Sequence, residues 1–430
     1  MVRLIKAEEM DSEFVQQITS RGLQGLESVE KDVREILESV RTRGDEALFE
    51  LTQKFDGLRL DPSIIRAERG DFEAAYRSTK TEEIRALKQA ASNIKRFHKM
   101  QLERIRFEQS RGGVTLGVVA RPISSIGIYA PGGKTSYPSS ILMCAIPAKV
   151  AGVERIVACS PPSPRGRFNP HVLIASDIAG VDEVYCIGGA QAVAAMAYGT
   201  ESIRPVEKVV GPGNVYVTAA KQLLSRHVSA DLPAGPSEIL IIADDSSKPE
   251  FIAADLLAQA EHDENARCIL LTTSERLANR VVQILEERLA SPTLSQVSRV
   301  ALERSGLIAV ARDLQEATKL ANKIAPEHLV IMTRNPDSVF KEIKNAGLIF
   351  VGQYSPVAIG DYSAGTNHVL PTGGYARTYS GLSVRDFVKT VSYVQCSKTG
   401  LRKLAKVTMT LAEMENLQAH SDSIKVREVS

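Results

Sequence analysis

The chain has 430 residues, of which 43% are hydrophobic, so it can bury large cores and form more than one domain. Its 53 Lys and Arg residues nearly balance 51 Asp and Glu residues, and the formal net charge of +2 gives no electrostatic support for nucleic-acid binding. The first residues lack the apolar segment of a signal peptide, and the apolar run 141–153 is too short to span a membrane. We therefore expect a globular, cytoplasmic protein that binds neither nucleic acid nor membranes.

The predicted elements follow a clear order along the chain. Residues 1 to about 110 are predicted to be helical, because apolar residues recur at three and four spacing in stretches such as "SVEKDVREILESVRTRGDEALFELTQKF". From about residue 117, short β-branched runs alternate with helical segments, which is the rhythm of a mainly parallel sheet. These runs are "ISSIGIYA", "RIVACS", "EVYCIGG" and "KVVGP".

The same rhythm restarts after "DLPAGP", whose prolines and glycine favour a crossover between two units. The second set of runs is "SEILIIAD", "ARCILLTTS", "GLIAVAR", "HLVIMT" and "GLIFVGQ". After about residue 382 the sheet pattern stops, and the remaining sequence predicts an amphipathic helix of the kind that packs on a partner subunit. We therefore predict an α/β protein with two mainly parallel sheets, a helical N-terminal region and a C-terminal helical arm.

Glycine-rich turns follow three strands of the first unit, in "YAPGGKTSYPSS", "IGGAQAVAA" and "GPGNVYVTAAK". Glycine allows a close approach of the backbone, and free N–H groups at a helix start suit a phosphate or a dinucleotide. None of the turns is G-x-G-x-x-G, and each alone is well explained as an ordinary turn. Three such turns on one rim of a sheet favour a nucleotide site as strongly as they favour ordinary turns.

The second unit carries a polar cluster in "LAQAEHDENA", where Gln259 and His262 are three residues apart. On a helix this spacing puts both side chains on one face, where they can converge on one ion. The alternative is a histidine that interacts with the dipole at a helix C-terminus.

Two further segments carry candidate residues. The turn-rich loop "IGDYSAGTNHVLPTGG" holds Asp361 and His368, and loops of this length are usually functional. In "APEHLVIM", Glu327 and His328 stand before a strand and form a natural acid–base pair. Neighbours in a regular strand point to opposite faces, so both serve one site only if Pro326 makes the chain irregular. The alternative is a capping glutamate and an edge histidine.

The C-terminal helix ends in "MENLQAH", which contains Glu415 and His420. Residues five apart do not share a helix face, so the two side chains converge only if the helix ends between them. The alternative is an ordinary solvated helix end.

The five cysteines include no C-x-x-C pair, so neither a disulfide framework nor a zinc ribbon is indicated. Most lie in apolar runs and are expected to be reduced core residues. Cys159 and Cys268 are conceivable nucleophiles for aldehyde oxidation, but burial in a strand raises the pKa of a thiol and lowers its reactivity.

The motifs taken together resemble those of the histidinol dehydrogenase family, in the same order and from about residue 20 to 425. They are "GIYAPGG", "GGAQA", "VGPGN", "DLPAGPSE", "AEHD", "PEHL", "GDYSAGTNHVLPTGG" and "LQAH". The resemblance implies zinc-dependent, NAD-linked oxidation of L-histidinol through L-histidinal to L-histidine, in two hydride transfers that end histidine biosynthesis.

The resemblance also implies an architecture. It predicts two Rossmann-like domains similar to those of aldehyde dehydrogenases, in a homodimer whose C-terminal arm completes the partner's site. The predicted parts are an N-terminal helical segment at 1–25, a metal and catalytic domain at 26–125 with 237–381, a dinucleotide domain at 126–236, and the arm at 382–430.

By resemblance, the site residues fall into four groups. The metal ligands are Gln259, His262, Asp361 and His420. Glu327 and His328 are the catalytic pair. The substrate contacts are Ser237, Gln259, His262, His328, Asp361, His368, Glu415 and His420. The dinucleotide contacts are Tyr129, Gln191 and Asn214.

Two other functions compete with this one. A relative that oxidises another short polyol, such as a sulfonated propanediol, is disfavoured because Glu415 suits an ammonium group and would repel a sulfonate. A catalytically silent homologue that keeps the fold and the metal is disfavoured because the catalytic and ligand positions are intact.

Overall fold

The structure is a computed structural model, which describes residues 2–132, 136–163, 167–233 and 235–428, and only the backbone of residues 20–24. The helices are α1 (Ser12–Arg43), α2 (Asp45–Asp56), α3 (Arg69–Ser78), α4 (Thr81–Glu103), α5 (Pro138–Ala151), α6 (Pro170–Ala179), α7 (Gly189–Tyr198), α8 (Val215–Leu223), α9 (Pro249–Ala260), α10 (Glu275–Leu289), α11 (Gln296–Ser305), α12 (Leu314–Ile324), α13 (Pro336–Glu342), α14 (Val357–Tyr362), α15 (Lys398–Met414) and α16 (Gln418–Glu428). Short 3-10 helices lie at Ala7–Glu9, Tyr375–Arg377 and Val384–Phe387. Among these described helices, none is long and apolar enough to cross a membrane.

The strands form three sheets. They are β1 (Arg3–Lys6), β2 (Phe107–Arg111), β3 (Val114–Pro122), β4 (Ser125–Tyr129), β5 (Arg155–Ser160), β6 (Glu183–Cys186), β7 (Lys208–Val210), β8 (Ser229–Ala230), β9 (Glu238–Ala243), β10 (Arg267–Thr272), β11 (Gly306–Val310), β12 (His328–Met332), β13 (Leu348–Val351) and β14 (Val388–Cys396). The large sheet has the order β1-β11-β10-β9-β12-β13, the small sheet β6-β5-β4-β7-β8, and the antiparallel ribbon β14-β3-β2.

Both the large and the small sheet are parallel, as the alternating pattern predicts. Strands such as β9 and β10 are buried along their whole length, because helices cover both faces of a parallel sheet. Separate apolar clusters fill the two faces of each sheet. The predicted α/β class with two parallel sheets is therefore confirmed.

The helices of the first hundred residues pack on the elements that surround the small sheet. Helix α1 lies against α7 and α8, and α4 lies against α5 and α6. The grouping of residues 26–125 with 237–381 in one domain stays a prediction of the sequence, as do the other domain boundaries.

Five strands lie where none was predicted: β1, β2, β3, β8 and β14. Of these, β2 begins in the region that was predicted to be helical up to about residue 110. Residues Arg3–Lys6, expected to be part of a helical segment, form an edge strand parallel to β11. Residues Val388–Cys396 pair with β3 beyond residue 382, where the sheet pattern was expected to stop. The predictions were wrong here because the five strands are wholly or partly exposed, so they lack the continuous apolar pattern that identifies a buried strand.

The C-terminal arm consists of two helices rather than one. Helix α15 ends at Met414, and α16 begins at Gln418 after Asn416, whose φ of 57° lies in the left-handed region. The helix therefore ends between Glu415 and His420, as their convergence requires. The arm exposes a row of apolar side chains on the described surface: Leu404, Val407, Leu411, Met414 and Leu417.

Candidate functional site

A cavity of about 520 Å³ lies between the two parallel sheets. The small sheet contributes residues that follow β4 and β7, at the carboxyl ends of its strands. The large sheet contributes residues that precede or begin β9, β10 and β12, at the amino ends of its strands. The predicted site residues on its wall are Asn214, Ser237, His262, Glu327, His328, Asp361 and His368. The fold thus brings together most of the residues that the sequence singled out.

The peptide unit of Glu238, at the start of β9, holds the predicted catalytic pair. The backbone N–H of Glu238 donates to Glu327 Oε2 at 2.7 Å, and its carbonyl oxygen lies 3.0 Å from His328 Nδ1. A carbonyl oxygen only accepts, so Nδ1 of His328 carries the proton and donates it. Ala325, with a φ of 53°, and Pro326 turn the chain before β12, so that Glu327 and His328 both line the cavity, as predicted.

The other nitrogen of His328 faces Asp361. His328 Nε2 lies 3.4 Å from Asp361 Oδ1, yet neither atom has a well-aligned hydrogen bond to any described residue. Burial on its own lowers the pKa of His328, but the charges of Glu327 and Asp361 outweigh it and raise the pKa well above its ordinary value. For Asp361, burial acts to raise the pKa, and His328 reverses the effect, so the pKa is lowered.

Asp361 lies on a short helix, α14, and not in a loop as predicted. The helix buries Gly360 against the Phe350 ring, where a Cβ would stand 2.5 Å from the ring, and so turns the Asp361 side chain inward. The backbone carbonyl of Asp361 accepts a hydrogen bond from His368 Nδ1 at 3.0 Å, and His368 Nε2 lies 3.4 Å from Ser140 Oγ. Burial lowers the pKa of His368, which favours its neutral form.

Gln259 and His262 lie at the end of α9. The regular helix ends at Ala260, so His262 falls in the turn after it rather than inside the helix. Its backbone N–H still bonds Gln259 O at 3.3 Å, which keeps the helical spacing of the two residues. Gln259 is 2% exposed and its Nε2 has no hydrogen-bond partner in the described residues, whereas His262 is exposed on the cavity wall.

The rim of the small sheet lies where its strand order reverses. Strand β4 has β5 on one side and β7 on the other, so the turns after β4 and β7 flank the switch point where such folds bind ligands. A Cβ on Gly211 would stand 2.2 Å from the carbonyl oxygen of Tyr129, and the φ of Gly211 is 113°. Only glycine lets the two turns approach this closely.

The predicted dinucleotide contacts occupy this rim in different ways. The Tyr129 hydroxyl accepts a hydrogen bond from Gly189 N–H at 3.2 Å, and burial raises its pKa to about 12. Gln191 is buried in α7. Asn214 caps α8 through Tyr216 N–H and lines the cavity, unlike the other two. The centre of the first glycine-rich turn, residues 133–135, lies outside the described residues.

The comparison with known proteins identifies the family. The sequence model of the histidinol dehydrogenase family matches residues 19–428. The histidinol dehydrogenases of Methanothermobacter thermautotrophicus and Syntrophotalea carbinolica are each 48% identical to this chain, over 424 and 428 residues and 99% of both sequences. The crystal structure of histidinol dehydrogenase from Elizabethkingia anophelis has a TM-score of 0.92 at 38% identity, covering 99% of this chain and 97% of that one. The chain belongs to the histidinol dehydrogenase family. It is therefore an oxidoreductase, and the predicted resemblance is confirmed.

Five predicted site residues of this family member are not on the cavity wall: Tyr129, Gln191 and Gln259 are buried beside it, and the two residues of the arm lie away from it. Glu415 and His420 are exposed on the arm, where α16 packs on α15. Accordingly, the described part of the chain holds no group of three His, Cys, Asp or Glu side chains that could share a metal ion. His262 and Asp361 line the cavity without His420.

The cysteines lie apart from the cavity. Cys144, Cys159, Cys186 and Cys268 are buried, as expected, and Cys396 is exposed. Burial raises the pKa of Cys268 to about 12 and that of Cys159 further still, so neither thiol ionises near neutral pH.

A buried ion pair that the sequence analysis did not predict lies next to the catalytic pair. Glu238 and Arg267 form a buried ion pair, and Gly373 N–H donates to Glu238 Oε1 at 3.0 Å. Arg267 N–H also donates to Ser237 O at 2.9 Å. The sequence did contain a signal for this pair: Glu238 and Arg267 each begin an otherwise apolar strand. A buried charge needs a partner, so the two could have been expected to pair.

Proposed function

We propose that this protein catalyses the zinc- and NAD-linked oxidation of L-histidinol to L-histidine in two steps, in the cytoplasm. One observation carries the proposal: His328 Nε2 and Asp361 Oδ1 face each other at 3.4 Å on the cavity wall, both without a well-aligned partner among the described residues. The His328 imidazole suits a general base that acts on an alcohol. The neighbouring Asp361 carboxylate and the exposed His262 suit a metal ion that would hold the alcohol.

The chemistry of the donor set fits zinc. Gln259 and Asp361 are buried polar side chains with unpaired atoms, and Asp361 shares the cavity wall with the exposed His262. An amide oxygen, imidazoles and a carboxylate without a thiolate suit an ion of intermediate softness with open positions for substrate. Zinc at this site would supply positive charge to hold and orient the substrate.

His328 is the proposed base of the first oxidation. His328 Nδ1–H is donated to Glu238 O, so Nε2 faces the cavity. Zinc held by Asp361 would offset the carboxylate charge that raises the pKa of His328, so that Nε2 is free to accept the hydroxyl proton of the substrate. As this O–H bond breaks, the carbon loses a hydride and the alcohol becomes an aldehyde. NAD, when bound, would supply the acceptor for that hydride.

Glu327 takes part in the second oxidation. Its Oε2 lies 3.5 Å from His328 Nδ1, so the pair can share a proton. Glu327 accepts a proton from water as the water oxygen bonds to the aldehyde carbon, and His328 returns the proton taken in the first oxidation to the aldehyde oxygen, which gives a hydrate. His328, again neutral, then accepts a hydroxyl proton of the hydrate, and the carbon gives up a second hydride, for which a second NAD would be the acceptor, to form the carboxylic acid.

The rim between β4 and β7 suits the dinucleotide. Gly211 allows the two turns to meet, and Asn214, which caps the N-terminus of α8, lines the cavity beside them. Tyr129, Gln191 and Asn214 are the proposed contacts, of which the first two act from beneath the rim by shaping it.

The substrate is held by residues from both sheets and from the arm. Ser237 and His368 line the cavity, while Glu415 and His420 belong to the arm. We propose that the protein is a homodimer in which the arm brings Glu415 and His420 to the partner's cavity. The exposed apolar row on α15 supports this, because a face of that kind needs a covering surface.

The test of the activity is a quantitative assay with purified protein. We expect bound zinc and two NADH formed per L-histidinol consumed, with no NADH formed from a sulfonated propanediol. Zinc without any NADH from L-histidinol would point to the catalytically silent homologue, and NADH from the sulfonated substrate to a different dehydrogenase.

The test of the shared site mixes two inactive variants. Asp361→Asn removes a ligand of the cavity and His420→Asn removes a ligand of the arm. If the arm serves the partner, a one-to-one mixture after subunit exchange recovers about a quarter of the wild-type activity, because half of the dimers contain one intact site. No recovery would show that each chain completes its own site.

A further inference from the structure

Asp255 is a buried carboxylate that has no role in the proposed mechanism. It lies on α9, one helical turn before Gln259, and is 8% exposed. Its Oδ2 has no hydrogen-bond partner among the residues that the structure describes. Burial raises the pKa of Asp255 to about 6, and no other cause contributes, so no described cation balances the charge. A carboxylate in this state is costly and requires a reason.

Gln259, in contrast, has a buried hydrogen-bond donor without an acceptor. The residue is 2% exposed, and its Nε2, which can only donate, also lacks a partner in the described chain. Residues four apart are neighbours on a helix face, and helical side chains lean toward the N-terminus, so Gln259 lies over the turn that carries Asp255. An unpaired donor and an unpaired acceptor therefore share one buried face of α9.

We propose that Asp255 is a positioning residue for the metal ligand Gln259: a small rotation of these neighbouring side chains would let Asp255 accept the Nε2–H, so that Oε1 is presented to the ion. This inference rests on the proposed zinc site. An amide turned by 180° would direct its NH2 group at the cation, which repels it, and only the oxygen can ligate. An acceptor behind the NH2 group therefore decides which end of Gln259 faces the metal.

A second acceptor competes for this role. Gln353 Oε1, in the loop after β13, is likewise buried without a partner among the described residues. This loop packs on α9, since the rings of Phe251 and Tyr354 are 6.2 Å apart. Asp255 is the better candidate, because a carboxylate accepts more strongly than an amide and lies on the same helix face as Gln259.

The experiment measures zinc affinity in full-length, metal-free protein by competition with a chromophoric chelator, together with the melting temperature. In Asp255→Leu we expect zinc affinity to fall roughly 10- to 100-fold, as for other partners of metal ligands. The metal-free melting temperature should stay level or rise, because an unpaired buried charge is removed. Asp255→Asn keeps an acceptor oxygen and should lose less affinity.

Two control variants sharpen the result. Glu250→Gln removes an exposed carboxylate from the first turn of the same helix, and Gln353→Leu removes the competing acceptor; both should bind zinc as the wild type does. Equal affinity in the wild type and both Asp255 variants would overturn the inference. A loss confined to Gln353→Leu would overturn it by assigning the role to Gln353. Failure of the wild type to bind zinc would overturn the metal site itself and this inference with it.

Discussion

The carbonyl oxygen of Glu238 accepts the Nδ1 proton of His328 at 3.0 Å and thereby fixes the tautomer of the imidazole. The lone pair of Nε2 is left to face the cavity, which is the arrangement that a general base needs. Because the acceptor belongs to the backbone of a central, fully buried strand, it cannot turn away. The buried Arg267 holds the same residue through its side chain.

Replacement of His328 by asparagine separates chemistry from binding. The Asn amide can still donate to Glu238 O, but it cannot accept a proton, so we expect kcat to fall about 100- to 10,000-fold. Zinc content and the Kd for L-histidinol should change little. The same change at His171, which lies on α6 and outside the cavity wall, serves as the control. Normal turnover of His328→Asn would remove this residue from the mechanism.

Substitution of Gly211 by alanine should damage the rim of the small sheet. The new Cβ would meet the carbonyl oxygen of Tyr129 at 2.2 Å, with φ at 113°, so the turns must separate. We expect a stability loss of about 1–3 kcal/mol and a higher KM for NAD. Gly70→Ala is the matched control, since its Cβ would meet nothing within 4 Å. An unchanged KM would place the dinucleotide elsewhere.

The cysteines should prove dispensable for both oxidations. Cys159 and Cys268 are buried in β5 and β10, and neither lines the cavity. We expect the double variant Cys159→Ala, Cys268→Ala to keep the wild-type ratio of two NADH per L-histidinol, with a small loss of stability from the volume removed. Release of histidinal by this variant would instead reveal a thiol nucleophile in the second step.

His98 should make the protein less stable in mild acid. It is buried in α4, and desolvation lowers its pKa from 6.5, so the unfolded chain binds the proton more readily. The contribution of the neutral imidazole is complete above pH 6.5 and is lost as the pH falls below that value. We expect the melting temperature of His98→Leu to drop less than that of the wild type between pH 7.5 and 5.5. His227→Gln, at an exposed position, should behave like the wild type.

Local patterns identified the parallel strands because burial on both faces leaves continuous apolar runs, as in β9 and β10. They failed for β1, β2, β3, β8 and β14, which are wholly or partly exposed. The same patterns singled out Glu327 and His328, since Pro326 signalled an irregular chain. They did not predict that the backbone of Glu238 would form hydrogen bonds to both residues, because every residue has the same backbone groups and the sequence does not distinguish them.

Hydrophobic periodicity and turn residues act over short distances along the chain, so they were enough to predict the α/β class, the two parallel sheets and the polar residues of the candidate site. Which of those residues meet depends on tertiary packing. His368 lies 3.4 Å from Ser140 across a separation of 228 residues, and Asp361 faces His328 because a short helix turns it inward. Such contacts arise from the packing of whole elements, whose relative placement no local pattern encodes.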